Sequence, residues 1–92
     1  MPNIEIYTKD YCPYSWRAKA LLESKGAPYE EIDVTHDPAR EREMISRSGR
    51  RTVPEIFFDG RLIGGSDELH ALEASGELDR LLERSGGVRR AA

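Results

Sequence analysis

Apolar and polar residues alternate along Ile4-Glu5-Ile6-Tyr7-Thr8, with β-branched side chains among them, and this period of two predicts a strand. The period changes at Tyr11-Cys12-Pro13-Tyr14-Ser15. Beyond that point Ala18, Leu21 and Leu22 recur at helical spacing while Lys19, Glu23 and Lys25 turn outward. Gly26 supplies a left-handed C-terminal cap, and Pro28 keeps the helix from resuming. Tyr29 to Val34 reads as a second strand, which makes a strand, helix, strand unit whose two strands run parallel through a right-handed crossover. Thr35-His36-Asp37-Pro38 is turn chemistry with a proline at a helix start. The helix that follows carries Ala39, Met44 and Ile45 and ends at Gly49.

Ile56-Phe57-Phe58 and Leu62-Ile63 are short apolar runs separated by Asp59-Gly60, a strong hairpin signal, so the second half of the sheet is antiparallel. Gly64-Gly65 breaks that hairpin, and Ser66 or Asp67 is positioned to cap a third helix with Leu69 and Leu72 facing inward. Gly76 interrupts it. Leu78, Leu81 and Leu82 then form a last short helix. The order is βαβ followed by ββα plus a short C-terminal helix: an α/β fold in which a four-stranded mixed sheet carries helices on both faces. Residues 1–92 read as one domain, with Ser85 to Ala92 a fraying tail that lacks apolar periodicity. Tyr7, Phe57 and Phe58 at strand spacing read as core.

Composition narrows the function. Of 92 residues, 38% are apolar and 34% charged, and no run reaches the length of a membrane span. The N-terminus lacks the basic and apolar regions of a signal peptide, so a cytoplasmic location without membrane association is expected. The 17 acids and 14 bases are well mixed, which argues against nucleic acid as a partner. Arg47, Arg50 and Arg51, with Arg40 and Arg42 before them, form one basic cluster: a solvated face, or a means of attracting an anionic ligand to an adjacent site. His36 and His70 do not stand at metal-ligand spacing from the cysteine, so no metal site is expected.

The chemistry centres on Cys12, the one cysteine in the chain. A single cysteine fits a reducing compartment and excludes an internal disulfide. Because Pro13 suits the first position of a helix, Cys12 reads as the N-cap. There the sulfur meets unpaired backbone amides and the positive end of the helix dipole, both of which favour a thiolate over a thiol. Lys9 adds a positive charge upstream, and the Ser15 hydroxyl, one turn on, is placed to donate to the sulfur. Free cysteines are most often buried and inert; the order strand, Cys-Pro, helix reverses that expectation here. Pro54, at the threshold of an apolar strand, conflicts with ladder pairing unless a bend is wanted. A cis Val53-Pro54 bond gives one, while a trans proline opening an edge strand is the commoner arrangement.

Three segments together carry a family pattern: Cys12-Pro13-Tyr14-Ser15, Thr52-Val53-Pro54 and Gly64-Gly65-Ser66-Asp67. From Ile4 to about Leu82 the chain resembles the glutaredoxins, specifically the short bacterial type with a Cys-Pro-Tyr-Cys site. The resemblance implies a thioredoxin-like fold, a cis Pro54, and glutathione as co-substrate with no tightly bound cofactor. It implies Cys12 as nucleophile, with Pro13, Tyr14 and Ser15 shaping the mouth of the site. Lys9 and Tyr14 then meet the glycine end of glutathione, Thr52 and the Val53 backbone before Pro54 pair with the cysteinyl unit, and Gly65, Ser66 and Asp67 hold the γ-glutamyl end. The chemistry agrees, since a tripeptide with two carboxylates and one ammonium needs amides or cations twice and an acid once.

Ser15 stands where that pattern has its second cysteine. An intramolecular disulfide is therefore closed, and a one-cysteine route remains: Cys12 takes glutathione from a mixed disulfide and a second glutathione removes it. The expected partners are glutathione and glutathionylated proteins or small mixed disulfides, met by a monomer. Two alternatives stand beside this: a homodimeric module holding an iron-sulfur cluster through Cys12 and glutathione, which Pro13 disfavours, and a Cys-to-Ser trapping form of a two-cysteine glutaredoxin.

Overall fold

The strand expected at the N-terminus forms as β1 (Ile4–Thr8), and the chain then runs α1 (Pro13–Ser24), β2 (Glu30–Asp33), α2 (Pro38–Ser48), β3 (Glu55–Phe58), β4 (Arg61–Gly64), α3 (Ser66–Ser75) and α4 (Glu77–Arg84). These come from a computed structural model that describes residues 1–84; the tail expected from Ser85 onward lies outside the described residues. The sheet order is β2-β1-β3-β4. β1 pairs with β2 in parallel and with β3 antiparallel, and β3 pairs with β4 antiparallel, so the mixed four-stranded sheet is present as expected.

Local chemistry accounts for the joints. At the end of α1, Gly26 has φ +65°, its amide bonds to the Glu23 carbonyl, and the Ala27 amide reaches the Leu22 carbonyl. This is the paired bonding of a glycine-closed helix end. In the hairpin, Phe58 faces Arg61, and both residues between them, Asp59 and Gly60, have positive φ, as a tight type I′ turn requires. One extra residue on β4 shifts the register between Ile56 and Phe57, so Ile56 faces Gly64 while Phe57 faces Leu62.

Alternation along β1 and β3 sends side chains to two cores. Ile4, Ile6, Ile56 and Phe58 pack with Ala18 and Leu22 of α1, Leu69 of α3 and Leu78 and Leu82 of α4. Tyr7 and Phe57 face the other way and pack with Ile32, Val34 and Met44 of α2. Helices therefore cover both faces. The Tyr7 and Phe57 rings meet edge to face at 5.8 Å, and the Arg47 guanidinium lies 4.1 Å from the Phe57 ring centre. No described helix is long and apolar enough to cross a membrane.

The start of α3 departs from expectation. Neither Ser66 nor Asp67 caps it; Gly65 is the N-cap residue, and the helix begins one residue early, at Ser66. The Glu68 carboxylate reaches back 2.7 Å to the Gly65 amide and does the capping. Gly64 makes room for this: at its φ of +125°, a Cβ would stand 2.8 Å from the Glu68 Cγ.

Candidate functional site

Cys12 leaves β1 through a turn in which its amide bonds to the Lys9 carbonyl at 3.3 Å. Its backbone is extended, Pro13 is the first helical residue, and the Trp16 amide bonds to the Cys12 carbonyl at 3.2 Å, which makes Cys12 the N-cap of α1. The sulfur makes no hydrogen bond to the helix amides; the thiol instead points at the Val53 carbonyl, 3.7 Å away. Cys12 is half-buried, whereas Pro13 and Tyr14 are exposed. The Arg17 guanidinium sits 5.8 Å from the Tyr14 ring centre. Trp16 is 52% exposed and its ring N–H donates to the Asp10 carbonyl.

One sequence expectation is corrected here. The Ser15 hydroxyl does not reach the sulfur. Ser15 is fully buried on the inner side of α1, and its Oγ has no hydrogen-bond partner among the described residues. Lys9 Nζ lies 3.3 Å from the Glu41 carboxylate of α2.

That cleft, of about 220 Å³, has two walls. One is Thr52, Val53 and Pro54, where the Val53-Pro54 bond is cis. The other is Gly65, Ser66, Asp67 and Glu68, the N-terminal turn of α3, with Tyr14 and Arg50 completing the lining. The walls come together at Gly65, where a Cβ would stand 3.2 Å from the Pro54 carbonyl oxygen. Thus Tyr14, Thr52, Val53, Pro54, Gly65, Ser66 and Asp67 are brought to one place, with the Cys12 sulfur beside Val53.

Three charged residues around the cleft escaped the sequence reading in whole or in part. Arg50 was visible only as a member of a basic cluster, which the fold disperses: Arg47 pairs with Glu5 at 2.9 Å and bonds to the Tyr7 hydroxyl, and Arg40 pairs with Glu43. Glu68 had a signal, since an acid three residues after a glycine break is a capping pattern. Its carboxyl is held below the ordinary range, chiefly by the Gly65 amide and further by its own backbone amide and Arg50. Glu55 is fully buried in β3, and burial pushes its carboxyl up against the opposing pull of the Thr52 hydroxyl and Arg50. An acid between Pro54 and Ile56-Phe57-Phe58 was the one anomaly in that run.

A glutaredoxin family model matches residues 4–63. Glutaredoxin 3 of Escherichia coli K12 is 57% identical over 83 residues, covering 90% of this chain and all of that protein. The chain belongs to the glutaredoxin family. Solved structures agree. A buckwheat glutaredoxin-glutathione complex superposes with a TM-score of 0.85 at 30% identity, over 96% of this chain and 83% of that one. The solution structure of glutaredoxin from Brucella melitensis gives 0.80 at 48% identity, over 97% and 96%. This glutaredoxin accordingly has the thioredoxin-like fold and is a glutathione-disulfide oxidoreductase. Of its two histidines, His36 is in an exposed turn, and the His70 ring is bonded within α3 to the Ser66 carbonyl.

Proposed function

We propose that this glutaredoxin reduces glutathione mixed disulfides by a one-cysteine route. The observation that carries the reading is that Cys12, the only cysteine in the sequence, stands at the N-cap of α1 beside the cleft while Ser15 occupies the next-turn position. In the first step the Cys12 thiolate attacks the glutathione sulfur of a mixed disulfide. A Cys12-glutathione disulfide forms, the old disulfide breaks, and the substrate leaves as a thiolate that takes a proton from water. A second glutathione thiolate then attacks the glutathione sulfur on Cys12, releasing oxidised glutathione and restoring Cys12. No net charge is created in either exchange. The protein's task is to hold one partner in line with its own sulfur.

The cleft suits the tripeptide in pieces. The Val53 backbone, adjacent to the Cys12 sulfur, meets the cysteinyl unit, with Thr52 and Pro54 beside it. The first turn of α3, beside Gly65, offers amides at Ser66 and Asp67 for the γ-glutamyl carboxylate, and the exposed Asp67 carboxylate answers its ammonium. Tyr14 flanks the glycine end, and Lys9 reaches it on leaving Glu41. The buckwheat relative, solved as a glutaredoxin-glutathione complex, lends support to this class of ligand. Glutathionylated proteins and small mixed disulfides are the substrates in this reading, met in the cytoplasm by a monomer with no tightly bound cofactor.

Intact mass after brief exposure to oxidised glutathione tests the reading. One glutathione is expected on the wild type and none on Cys12→Ser, with steady turnover of a glutathione mixed disulfide by the wild type. A wild type that takes up no glutathione, or an adduct that persists in Cys12→Ser, overturns it.

A further inference from the structure

Glu55 is out of place on packing grounds. It lies in an internal strand among Ile56, Phe57 and Phe58 and has no exposed surface. Its Oε1 has no hydrogen-bond partner among the described residues. Burying a carboxylate with one oxygen unsatisfied destabilises a fold, and an apolar residue of similar volume is often neutral or better at such a site. The other oxygen is fully used. Oε2 accepts from the Thr52 hydroxyl at 2.9 Å and lies 3.3 Å from Arg50 Nε. Arg50 Nη2 in turn stands 3.6 Å from Glu68 Oε2, and Glu68 Oε1 holds the Gly65 amide at 2.7 Å.

Thr52 and Gly65 are on opposite walls of the cleft, and Glu55 lines neither. The chain of contacts Thr52, Glu55, Arg50, Glu68, Gly65 therefore spans from one wall to the other. We propose that Glu55 is a positioning residue for the disulfide substrate: buried behind the cleft lining, it fixes Thr52 and orients Arg50, and so sets the separation of the two walls that grip glutathione. The inference rests on the glutathione reading above and adds to it a residue that does not touch the ligand. A side chain acting in this way affects binding of the tripeptide more than attack by the sulfur, because the Cys12 backbone is held by the turn after β1 and the start of α1, and Glu55 bonds to Thr52 and not to Val53, whose carbonyl meets the thiol.

The test is steady-state kinetics with a glutathione mixed disulfide, alongside thermal unfolding and the rate of Cys12 alkylation by iodoacetamide. Glu55→Leu is expected to raise KM about fivefold or more, with kcat within about twofold of the wild type. Its melting temperature should be equal or higher, and alkylation unchanged. Glu55→Gln keeps an acceptor for Thr52 without the ion pair to Arg50, so its KM should fall between the two. Arg50→Met, a surface change that leaves the core alone, should raise KM alone and add little when combined with Glu55→Leu. Unchanged KM in Glu55→Leu, or losses of kcat and alkylation that track a lower melting temperature, overturns the positioning role. A wild type inactive on the mixed disulfide overturns the glutathione reading together with this one; an active wild type with an indifferent Glu55 overturns this one alone.

Discussion

Ser15 shows how a side chain beside the reactive cysteine can be determined by the core instead of by the site. It follows Cys12 by three residues, close to one helical turn, yet lies on the inward face of α1 with Ala18 and Leu22. Its hydroxyl is buried without a partner among the described residues. A buried, unbonded hydroxyl costs on the order of 1–3 kcal/mol of desolvation, part of which an alanine recovers against the small cavity it leaves. Ser15→Ala should therefore be more stable than the wild type, by about 0.5–1 kcal/mol, or roughly 2–8 °C in a domain of this size. Calorimetry at neutral pH decides it, and a lower melting temperature would mean that the hydroxyl is bonded in solution. Sequence proximity suggested a bond to the sulfur because turn spacing gives a direction along the helix; which face is buried depends on the sheet beneath.

At the scale of elements, the N-terminus of α3 and the start of β3 carry carboxyls that respond to pH in opposite senses. Glu68 is held below the ordinary carboxylate range, first by the Gly65 amide it caps. The native state thus prefers its ionised form, so its contribution is complete above the ordinary range and disappears as pH falls through the lowered native value. Glu55 is pushed up by burial. Its native state prefers the proton, so its contribution is complete at acid pH and declines as pH rises through the raised value. In urea titrations across pH, Glu68→Ala should lose about 0.5–1 kcal/mol near neutrality and converge on the wild type in acid. Glu55→Leu should gain on the wild type as pH rises. Parallel curves for either variant would contradict its assigned environment. The helix itself, the glycine break before it and the Asp59-Gly60 turn were all legible from local pattern, because each is decided within a few residues. So were the cleft residues from Thr52 to Pro54 and Gly65 to Asp67, through their resemblance to a known site. The Arg50 to Glu68 pair and the Lys9 to Glu41 pair were not, since each joins segments brought together only by the finished sheet.

Across the whole molecule the two faces of the sheet are unequally held. Among the described residues, the face covered by α1, α3 and α4 has ten buried apolar residues in one cluster, against five on the face covered by α2. α2 fully buries Met44 alone, with Ile45 partly buried beside it. Much of its remaining attachment is polar: Glu43 to the Tyr7 hydroxyl, Arg47 to Glu5 and Tyr7, and Glu41 to Lys9. Partly exposed ion pairs contribute roughly 0–1 kcal/mol each and weaken with salt, whereas apolar burial does not. α2 is therefore expected to open at a lower free energy than α1, and the gap should widen with ionic strength. Amide hydrogen exchange in the native state measures both helices in one experiment. Amides of Glu43 to Ser48 should exchange faster than those of Ala18 to Leu22, and moving from low salt to about 0.5 M should accelerate the first set more than the second. Equal protection, or an acceleration shared by both helices, would show that the polar contacts add nothing to the apolar hold. Because Gly49 leads from α2 directly to Arg50, an opening of this helix reaches the cleft through its Arg50 side, while the Cys12 end stays anchored on the better-packed face.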